Sequence, residues 1–167
     1  MLSRTIRSHG GTQSLKDCLS TLLSLEIIEP SQEIYLISPF LSNTPIMDNR
    51  LKQYSDLLPI VEGNFIYLSD IIKTLAWKKA KIRIICNPER KETKDFLKLL
   101  GSDVEIRELK NNHEKGLVTS NFYIHGSMNF TYSGININGE NVRVSFLTAE
   151  VNQALMSARA RWEEADG

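Results

Sequence analysis

HEKGLVTSNFYIHGSMN, residues 113–129, is the stretch from which the fold of this 167-residue chain is most readily worked out. Two apolar runs flank Ser120 and Asn121, two residue types that favour turns. The pattern predicts a strand, a tight turn and a second antiparallel strand. The middle of the chain should therefore contain a β-hairpin.

Polar side chains cluster at the open end of this predicted hairpin. His113 and Lys115 are two residues apart, so strand alternation would place both side chains on one face. The returning strand would bring Ser127 and Asn129, which follow the turn signal at Gly126, back beside them. One imidazole, one ammonium, one hydroxyl and one carboxamide would then converge. That set can bind a phosphodiester and attack it without a metal.

This stretch resembles the HKD motif of the phospholipase D superfamily, His-x-Lys-x4-Asp followed by Gly-Ser-x-Asn. The residues that match the motif are His113, Lys115, Gly126, Ser127 and Asn129. Glu140 fits the acid that the family often carries after a Gly/Asn-rich stretch. Upstream, IYLISPF and a later Asn-Arg pair resemble small bacterial phospholipase-D-like proteins found beside DNA-modification and defence genes, such as the DpdK-like proteins of 7-deazaguanine clusters.

The resemblance implies a role for each matching residue. His113 would attack phosphorus and form a phosphohistidine, and Glu140 would accept a hydrogen bond from its other ring nitrogen. Lys115, Ser127 and Asn129, with the turn at Gly126, would bind the phosphoryl oxygens. Helix capping is the alternative use of Ser127 and Asn129, and it is compatible with phosphate binding.

The motif departs from the family at one position, because Ser120 stands where the family has Asp. If that Asp mainly ties down the loop, Ser120 or Asn121 can substitute by bonding to its own backbone. If the Asp tunes the acid–base step, activity would be weak or lost. The sequence leaves both alternatives open.

Composition indicates one globular domain, residues 1–167, with a polar, flexible or interface arm at 1–12. Hydrophobic residues make up 41% of the chain, and no run of about 18 apolar residues would span a membrane. The N-terminus has no apolar signal-peptide core, so a cytoplasmic protein is expected. The three histidines lack metalloenzyme spacing, and we expect neither a metal nor another cofactor.

The charge balance argues against strong non-specific binding to duplex DNA. Lys plus Arg equals Asp plus Glu at 20 each, so there is no overall positive field. A local basic face remains an alternative to a mixed-charge surface, and its candidates are Arg83, Arg90, Lys91, Lys94 and Arg107.

Periodicity predicts strands that alternate with helices, which favours an α/β fold: an α-β-α sandwich with a mixed central sheet. Strands are predicted at 33–37, 81–86, 104–109 and 141–147, in addition to the hairpin. Helices are predicted from Ser14 to just before Pro30 and at 69–79, 93–100 and 150–164, with a short helix at 48–58 and helical turns at 129–135.

The leading functional hypothesis is a metal-independent phosphodiesterase, a DNA nuclease of a bacterial DNA-modification or defence system. A non-catalytic phosphate- or DNA-binding module inside a larger complex is the alternative, and a lipid-acting phospholipase is a third. The mechanism needs two imidazoles, yet the chain has one His-x-Lys set. A homodimer with a composite active site is therefore expected.

Overall fold

The computed structural model describes residues 3–9 and 13–166. Nine strands form a seven-stranded sheet and a separate two-stranded sheet. Their bounds are β1 Ser3–Arg7, β2 Glu33–Ile37, β3 Pro45–Asp48, β4 Phe65–Tyr67, β5 Lys81–Cys86, β6 Glu105–Glu108, β7 Gly116–Val118, β8 Tyr123–Gly126 and β9 Asn141–Ser145.

The large sheet is mixed, with the strand order β1-β9-β8-β7-β2-β5-β6. β2, β5 and β6 run parallel, while β7, β8, β9 and β1 continue from β2 as antiparallel neighbours. The predicted mixed sheet and the predicted hairpin, β7–β8, are both confirmed. β2 is the junction between the two halves of the sheet.

Helices cover both faces of the sheet, as predicted. Their bounds are α1 Ser14–Ile28, α2 Leu68–Trp77, α3 Lys91–Leu100, α4 Tyr132–Asn136 and α5 Thr148–Glu164. Alternate residues of β2 divide between the two layers: Ile34 and Leu36 pack in the core with α1 to α4, while Tyr35 and Ile37 pack with α5. A continuous apolar strand is the consequence of burial on both faces.

Several predicted boundaries agree closely with the structure. β2 and β5 match the predicted strands residue for residue, and α3 ends before Gly101, whose φ is 58°. A left-handed φ suits glycine at the end of a helix. Strong periodicity and a glycine stop signal are local properties, so these boundaries could be predicted from the sequence alone.

Two polar segments differ in secondary structure from what the pattern predicts. Residues 3–7, which belong to the predicted flexible or interface arm, form β1, which pairs antiparallel with β9. The rest of that arm at positions 1, 2 and 10–12 lies outside the described residues. The helix expected at 48–58 is replaced by β3 and a series of turns in which the Asn49 side chain bonds to Gly63 O and to the N–H of Tyr54. Both segments take their conformation from a partner distant in sequence.

Within the described residues, none of the helices is long and apolar enough to cross a lipid bilayer.

Candidate functional site at the end of the β7–β8 hairpin

His113 and Lys115 lie in the loop just before β7. The strand begins at Gly116, so the predicted strand placement of the two residues was wrong. The buried Asn112 side chain holds this loop, because it accepts a hydrogen bond from Glu114 N (3.0 Å) and donates one to Glu114 O (3.3 Å). His113 is exposed, and the Lys115 ammonium donates to the His113 carbonyl at 2.7 Å.

The ladder between β7 and β8 brings the second half of the motif beside this loop. Gly126 N–H donates to Lys115 O at 3.3 Å, which places Ser127 next to Lys115. Gly126 has a φ of 153°, and a Cβ there would lie 2.1 Å from Asn141 O. Only glycine allows this close approach of β8 to β9. Ser127 is exposed and bonds to Asn141 through both its N–H and its Oγ.

Asn129 is positioned from the end of β2 rather than by the hairpin. Its Oδ1 lies 3.3 Å from Ser38 Oγ and 3.4 Å from Phe40 N. The Phe40 N–H can only donate, so it fixes the amide oxygen inward and directs Nδ2 outward. Among the described residues, Nδ2 has no hydrogen-bond partner, so both of its protons remain available to a ligand.

The sheet register places these groups along one edge. β2 pairs with β7 through Ile37 and Gly116, so the next pair along the ladder is Ser38 and Lys115. Ser38 bonds to Asn129, and Lys115 precedes the strand that pairs with Gly126. The carboxyl end of β2 is therefore where all parts of the motif meet.

Glu140 lies against Ser127 in this chain. Its carboxylate accepts hydrogen bonds from Ser127 Oγ and from Asn138 Nδ2, the latter at 3.3 Å. The buried Ser8 clamps its backbone, since Ser8 N–H donates to Glu140 O (2.8 Å) and Ser8 Oγ accepts from Glu140 N–H (2.9 Å). Within the described part of the chain, Glu140 makes no hydrogen bond to His113. Its predicted role as the partner of the imidazole stays a prediction.

Ser120 lies at the opposite end of the hairpin from His113. The whole of β7, about 10 Å long at 3.3 Å per residue, lies between the two ends. The turn is held by Thr119, whose hydroxyl accepts from the N–H groups of Asn121 (3.0 Å) and Phe122 (3.1 Å). Ser120 N–H donates to Ser31 Oγ at 2.9 Å. The side chain at position 120 therefore makes no contact with the candidate site.

A buried carboxylate of α1 accepts hydrogen bonds from this turn and from the segment beside it. Glu26 of α1 is fully buried and accepts hydrogen bonds from Asn121 Nδ2 (2.9 Å) and Ser31 N–H (2.6 Å). Asn121 Nδ2 also donates to Glu29 O at 3.0 Å. Asn121 does anchor the loop, as one alternative proposed, but through α1 rather than through its own backbone.

Two polar residues of the motif face away from the candidate site. His125 stacks on Tyr123 with ring centroids 4.5 Å apart, and burial and then Arg143 lower its pKa. Glu114 pairs with Arg161 of α5 at 3.2 Å. These contacts support the interpretation of His125 as structural and the prediction that Glu114 points away from His113 and Lys115.

The capping interpretation of Ser127 and Asn129 was wrong. Thr131 caps α4, with its Oγ1 accepting from Gly134 N–H at 3.0 Å. The N–H groups of Ser127 and Phe130 are already bonded, to Asn141 O and Ser38 Oγ. These two backbone N–H groups are therefore not available to bind an anion here.

The five candidate cations do not form one basic face. Arg83 and Arg107 both stack on Trp162 of α5, 5.1 and 4.5 Å from its ring centre. Arg90 stacks instead on Phe40, near Asn129. The two remaining candidates lie on α3, where Lys91 pairs with Asp95 and Lys94 is exposed. The surface is of mixed charge, as the alternative held.

The sequence pattern did not predict the role of three residues that position the site: Ser8, Ser38 and Asn112. Each is a small polar residue that is buried, with Ser38 at 0% exposure. Burial of a polar side chain requires partners, and here the partners are backbone and side-chain atoms of the motif. A polar residue directly after a buried strand, as Ser38 is after β2, was the one available sequence signal.

Among the described residues, no group of His, Cys, Asp and Glu side chains is arranged to hold a metal ion. The site instead offers an exposed imidazole, an ammonium, an unbonded amide NH2 and a hydroxyl paired with a carboxylate. These groups can supply a nucleophile, a positive charge and hydrogen-bond donors to a tetrahedral anion.

The fold and the motif together define a phospholipase-D-like domain. The sequence matches the family model described as "Cardiolipin synthase, PLD-like domain" over residues 25–162. The chain belongs to the phospholipase-D-like family. No curated protein matches the sequence.

Solved structures of similar fold cover nearly the whole chain. NucT from Helicobacter pylori is 16% identical, with a TM-score of 0.66, 99% of this chain covered and 98% of that one. Nuc from Salmonella typhimurium, a phospholipase D family member, is 16% identical with a TM-score of 0.64, covering 98% and 95%. The archaeal chromatin protein TrmBL2 is 19% identical with a TM-score of 0.52, covering 99% of this chain and 54% of that one. At these identities the likeness concerns the fold.

Proposed function

We propose that this protein is a metal-independent phosphodiesterase that cleaves DNA through a phosphohistidine intermediate. The observation that carries the proposal is that the loop of His113 and Lys115, the turn at Ser127 and the Asn129 amide lie next to one another at the carboxyl end of β2. Family membership supports a reaction at a phosphodiester. The likeness to Nuc and NucT, whose chains are matched almost end to end, supports nucleic acid as the substrate.

In the first step, Nε2 of His113 forms a bond to phosphorus while the bond to the leaving oxygen breaks. A second imidazolium, His113 of another subunit, gives its proton to that oxygen. The Lys115 ammonium and the Asn129 amide stabilise the charge that develops on the phosphoryl oxygens, the task a metal ion performs in other phosphodiesterases.

In the second step, water attacks the phosphohistidine. The second imidazole, now neutral, takes a proton from this water, and the P–N bond breaks to restore His113. Splitting one displacement into two lets the same pair of imidazoles act as nucleophile and as acid and base. Because each chain carries one such His-x-Lys set, the proposed active enzyme is a homodimer with its site at the two-fold axis.

We place the enzyme in a bacterial DNA-modification or defence system. The support for this is the likeness of IYLISPF, residues 34–40, and of the pair Asn49-Arg50 to proteins encoded beside such genes. The Asn49 side chain holds the loop after β3, and Arg50 pairs with Asp48 at 2.5 Å. These two residues therefore shape the small sheet and have no part in the proposed chemistry.

A non-catalytic DNA-binding module is the second candidate. The fold similarity to TrmBL2, whose structure is titled as showing a novel mode of DNA binding, favours it, as does the neutral net charge. Under this hypothesis Lys115 and Asn129 would bind a phosphate that His113 never attacks.

A cleavage assay in excess chelator separates the two candidates. Wild type is compared with His113→Ala and with His125→Phe, a control that keeps the stacking on Tyr123. Cleavage that resists chelator, is lost in His113→Ala and is kept in His125→Phe is the expected result. Binding of DNA without cleavage by wild type would favour the module. Cleavage of a phospholipid in a parallel reaction, but not of DNA, would identify a lipid-acting enzyme.

Trapping of the intermediate tests the phosphohistidine directly. Quenched reactions should yield a phosphoryl adduct on His113 that is labile in acid and stable in base, as a phosphoramidate is. An adduct on serine, or none under conditions of active turnover, would contradict the proposed nucleophile.

A further inference from the structure

A polar groove of about 540 Å³ opens directly beside Asn129. Its walls come from the segment after β2, the start of α3 and the start of α4. The side chains that give it chemical character are Phe40, Arg90, Glu92, Asn129 and Tyr132. Since Asn129 lines the groove and also belongs to the candidate site, a ligand held in the groove would extend away from the reacting phosphate.

Arg90 is held in place without being neutralised. Its guanidinium carbon lies 3.5 Å from the centre of the Phe40 ring, and the residue is exposed. Within residues 3–9 and 13–166 its side chain makes neither an ion pair nor a hydrogen bond. The stack therefore orients a guanidinium whose N–H donors are all free, which is the state suited to a phosphate.

Tyr132 presents an aromatic ring on the other wall. The residue is 50% exposed, although its backbone is fixed by a hydrogen bond from its N–H to Ser42 Oγ at 2.8 Å. Asn136 of the same short helix bonds to Thr44 Oγ1 at 3.0 Å, which secures α4 to the segment after β2. A ring that is exposed on a fixed backbone is a platform for stacking.

The charge of the groove selects its ligand. Arg90 and Glu92 are its two charged side chains, and they carry opposite charges. Phosphate neutralisation alone would therefore hold a polyanion weakly. Stacking of a base contributes affinity independently of charge, but a base face is accessible only when the strand is unpaired.

From these features we propose that the groove binds the unpaired nucleotides of single-stranded DNA that flank the scissile phosphate. Tyr132 stacks on a base, and Arg90 contacts a phosphate one or two nucleotides from the one at Asn129. The proposal rests on the proposed function, because it assumes that the reacting phosphate lies at Lys115 and Asn129.

Fluorescence anisotropy with a labelled oligothymidylate of about 12 nucleotides tests the groove. The measurements use the His113→Ala chain, so that the DNA stays intact. In this background, Arg90→Gln and Tyr132→Ala should each raise Kd roughly tenfold. This is the loss of affinity expected when one phosphate contact or one stacked base is removed. Glu92→Gln should lower Kd, because it removes the one negative charge of the groove.

Two matched controls lie outside the groove. Lys91→Gln removes the neighbouring cation, which is already paired with Asp95, and Trp77→Ala removes an exposed aromatic on α2. Neither should change Kd. Light scattering on each variant should give the same mass as the parent chain. A change of mass together with lost binding would make the groove a subunit interface and overturn the proposal.

A second substrate separates failure of the groove from failure of the proposed function. Bis(p-nitrophenyl) phosphate has no flanking nucleotides, so Arg90→Gln and Tyr132→Ala in the otherwise native chain should hydrolyse it at the wild-type rate. If wild type does not hydrolyse this substrate but the two substitutions still weaken DNA binding, the proposed nucleotide-binding groove is supported and the proposed enzymatic activity is contradicted. Unchanged Kd in both variants, or equal affinity for duplex and single strand, would overturn the groove.

Discussion

Ser38 and Asn129 are 91 residues apart in the sequence, yet Ser38 Oγ lies 3.3 Å from Oδ1 of Asn129. The one proton of this hydroxyl is shared between Oδ1 of Asn129 and Phe40 O, which lies 2.7 Å away, and the hydroxyl accepts from Phe130 N–H at 3.1 Å. A buried serine at the end of β2 thus fixes the backbone on both sides of the contact. It positions the amide that we propose as a donor to the phosphoryl oxygens.

We expect Ser38→Ala to lower turnover roughly tenfold, because about 1 kcal/mol of hydrogen bonding would no longer orient Asn129. KM should change less than kcat if Asn129 acts mainly in the transition state. Steady-state rates measure the effect, with Ser24→Ala on α1, whose hydroxyl bonds only within its helix, as the control. A wild-type rate in Ser38→Ala would show that Asn129 does not depend on this contact.

Lys115→Ala and Asn129→Ala should each lower turnover by about 10² or more, because each removes a preorganised donor from the phosphoryl oxygens. Both side chains are half-buried, Lys115 in the loop before β7 and Asn129 beside the end of β2, and neither belongs to the apolar core, so circular dichroism and thermal unfolding should change little. Single-turnover cleavage provides the rate. Near-wild-type rates in either variant would refute the proposed phosphate-binding role of that residue.

Replacing Ser120 by the Asp that the family has at this position should change turnover little. Ser120→Asp places a carboxylate at the far end of the β7–β8 hairpin, separated from the loop of His113 by the length of β7, about 10 Å. At that distance solvent screens most of its charge. We expect turnover within about twofold of wild type. An increase of tenfold or more would mean that the acid tunes the acid–base step after all.

The active species should have about twice the chain mass of 19.0 kDa in light scattering. Subunit exchange offers a sharper measurement, because a mixed dimer holds only one His113. A tenfold excess of His113→Ala chains should lower the activity of wild type about tenfold once the subunits have exchanged. An unchanged activity per wild-type chain after exchange, or an active species of 19.0 kDa, would contradict the composite site.

The contact between α5 and β2 should weaken in acid. Arg159 donates to both oxygens of Glu33 at 2.9 and 2.8 Å, and this hydrogen bonding is the main reason that the pKa of Glu33 falls from 4.5 to about 2. A carboxyl with a lowered pKa stabilises the fold above its unfolded value and loses that contribution as the pH falls. The loss should occur between about pH 4.5 and pH 2.

Carboxyl chemical shifts of Glu33, followed through a pH titration, check this expectation. Arg159→Ala should return the titration towards 4.5 and make unfolding less sensitive to acid in that window. Lys91→Ala, which removes an exposed ion pair on α3, is the control and should leave the Glu33 titration unchanged. A titration of Glu33 near 4.5 in wild type would refute the assigned contact.

Much of the fold could be predicted from local sequence patterns. The continuous apolar runs of β2 and β5, the glycine stop at Gly101 and the apolar pairs around Ser120 and Asn121 were each sufficient to predict an element. These signals depend on burial and on backbone preference, which a short segment expresses by itself. The convergence of the two halves of the motif followed from the hairpin.

Segments that depend on a distant partner were not predictable in this way. β1 is polar, and it becomes a strand because β9 supplies its hydrogen bonds. Alternation predicts strand at His113 because it cannot detect Asn112, whose side chain bonds to the backbone of the loop. Hydrogen bonds between residues far apart in sequence leave no periodic trace.

The sequence by itself determined which chemical groups the site contains and which hairpin presents them, because spacing along two adjacent strands fixes what can meet. Only the tertiary structure decided how those groups are held. The carboxyl end of β2 brings Ser38 to Asn129, Ser8 fixes the backbone of Glu140, and the turn at Ser120 lies away from the chemistry. The physical reason is that a buried polar side chain takes its hydrogen-bond partners from wherever the packed chain supplies them.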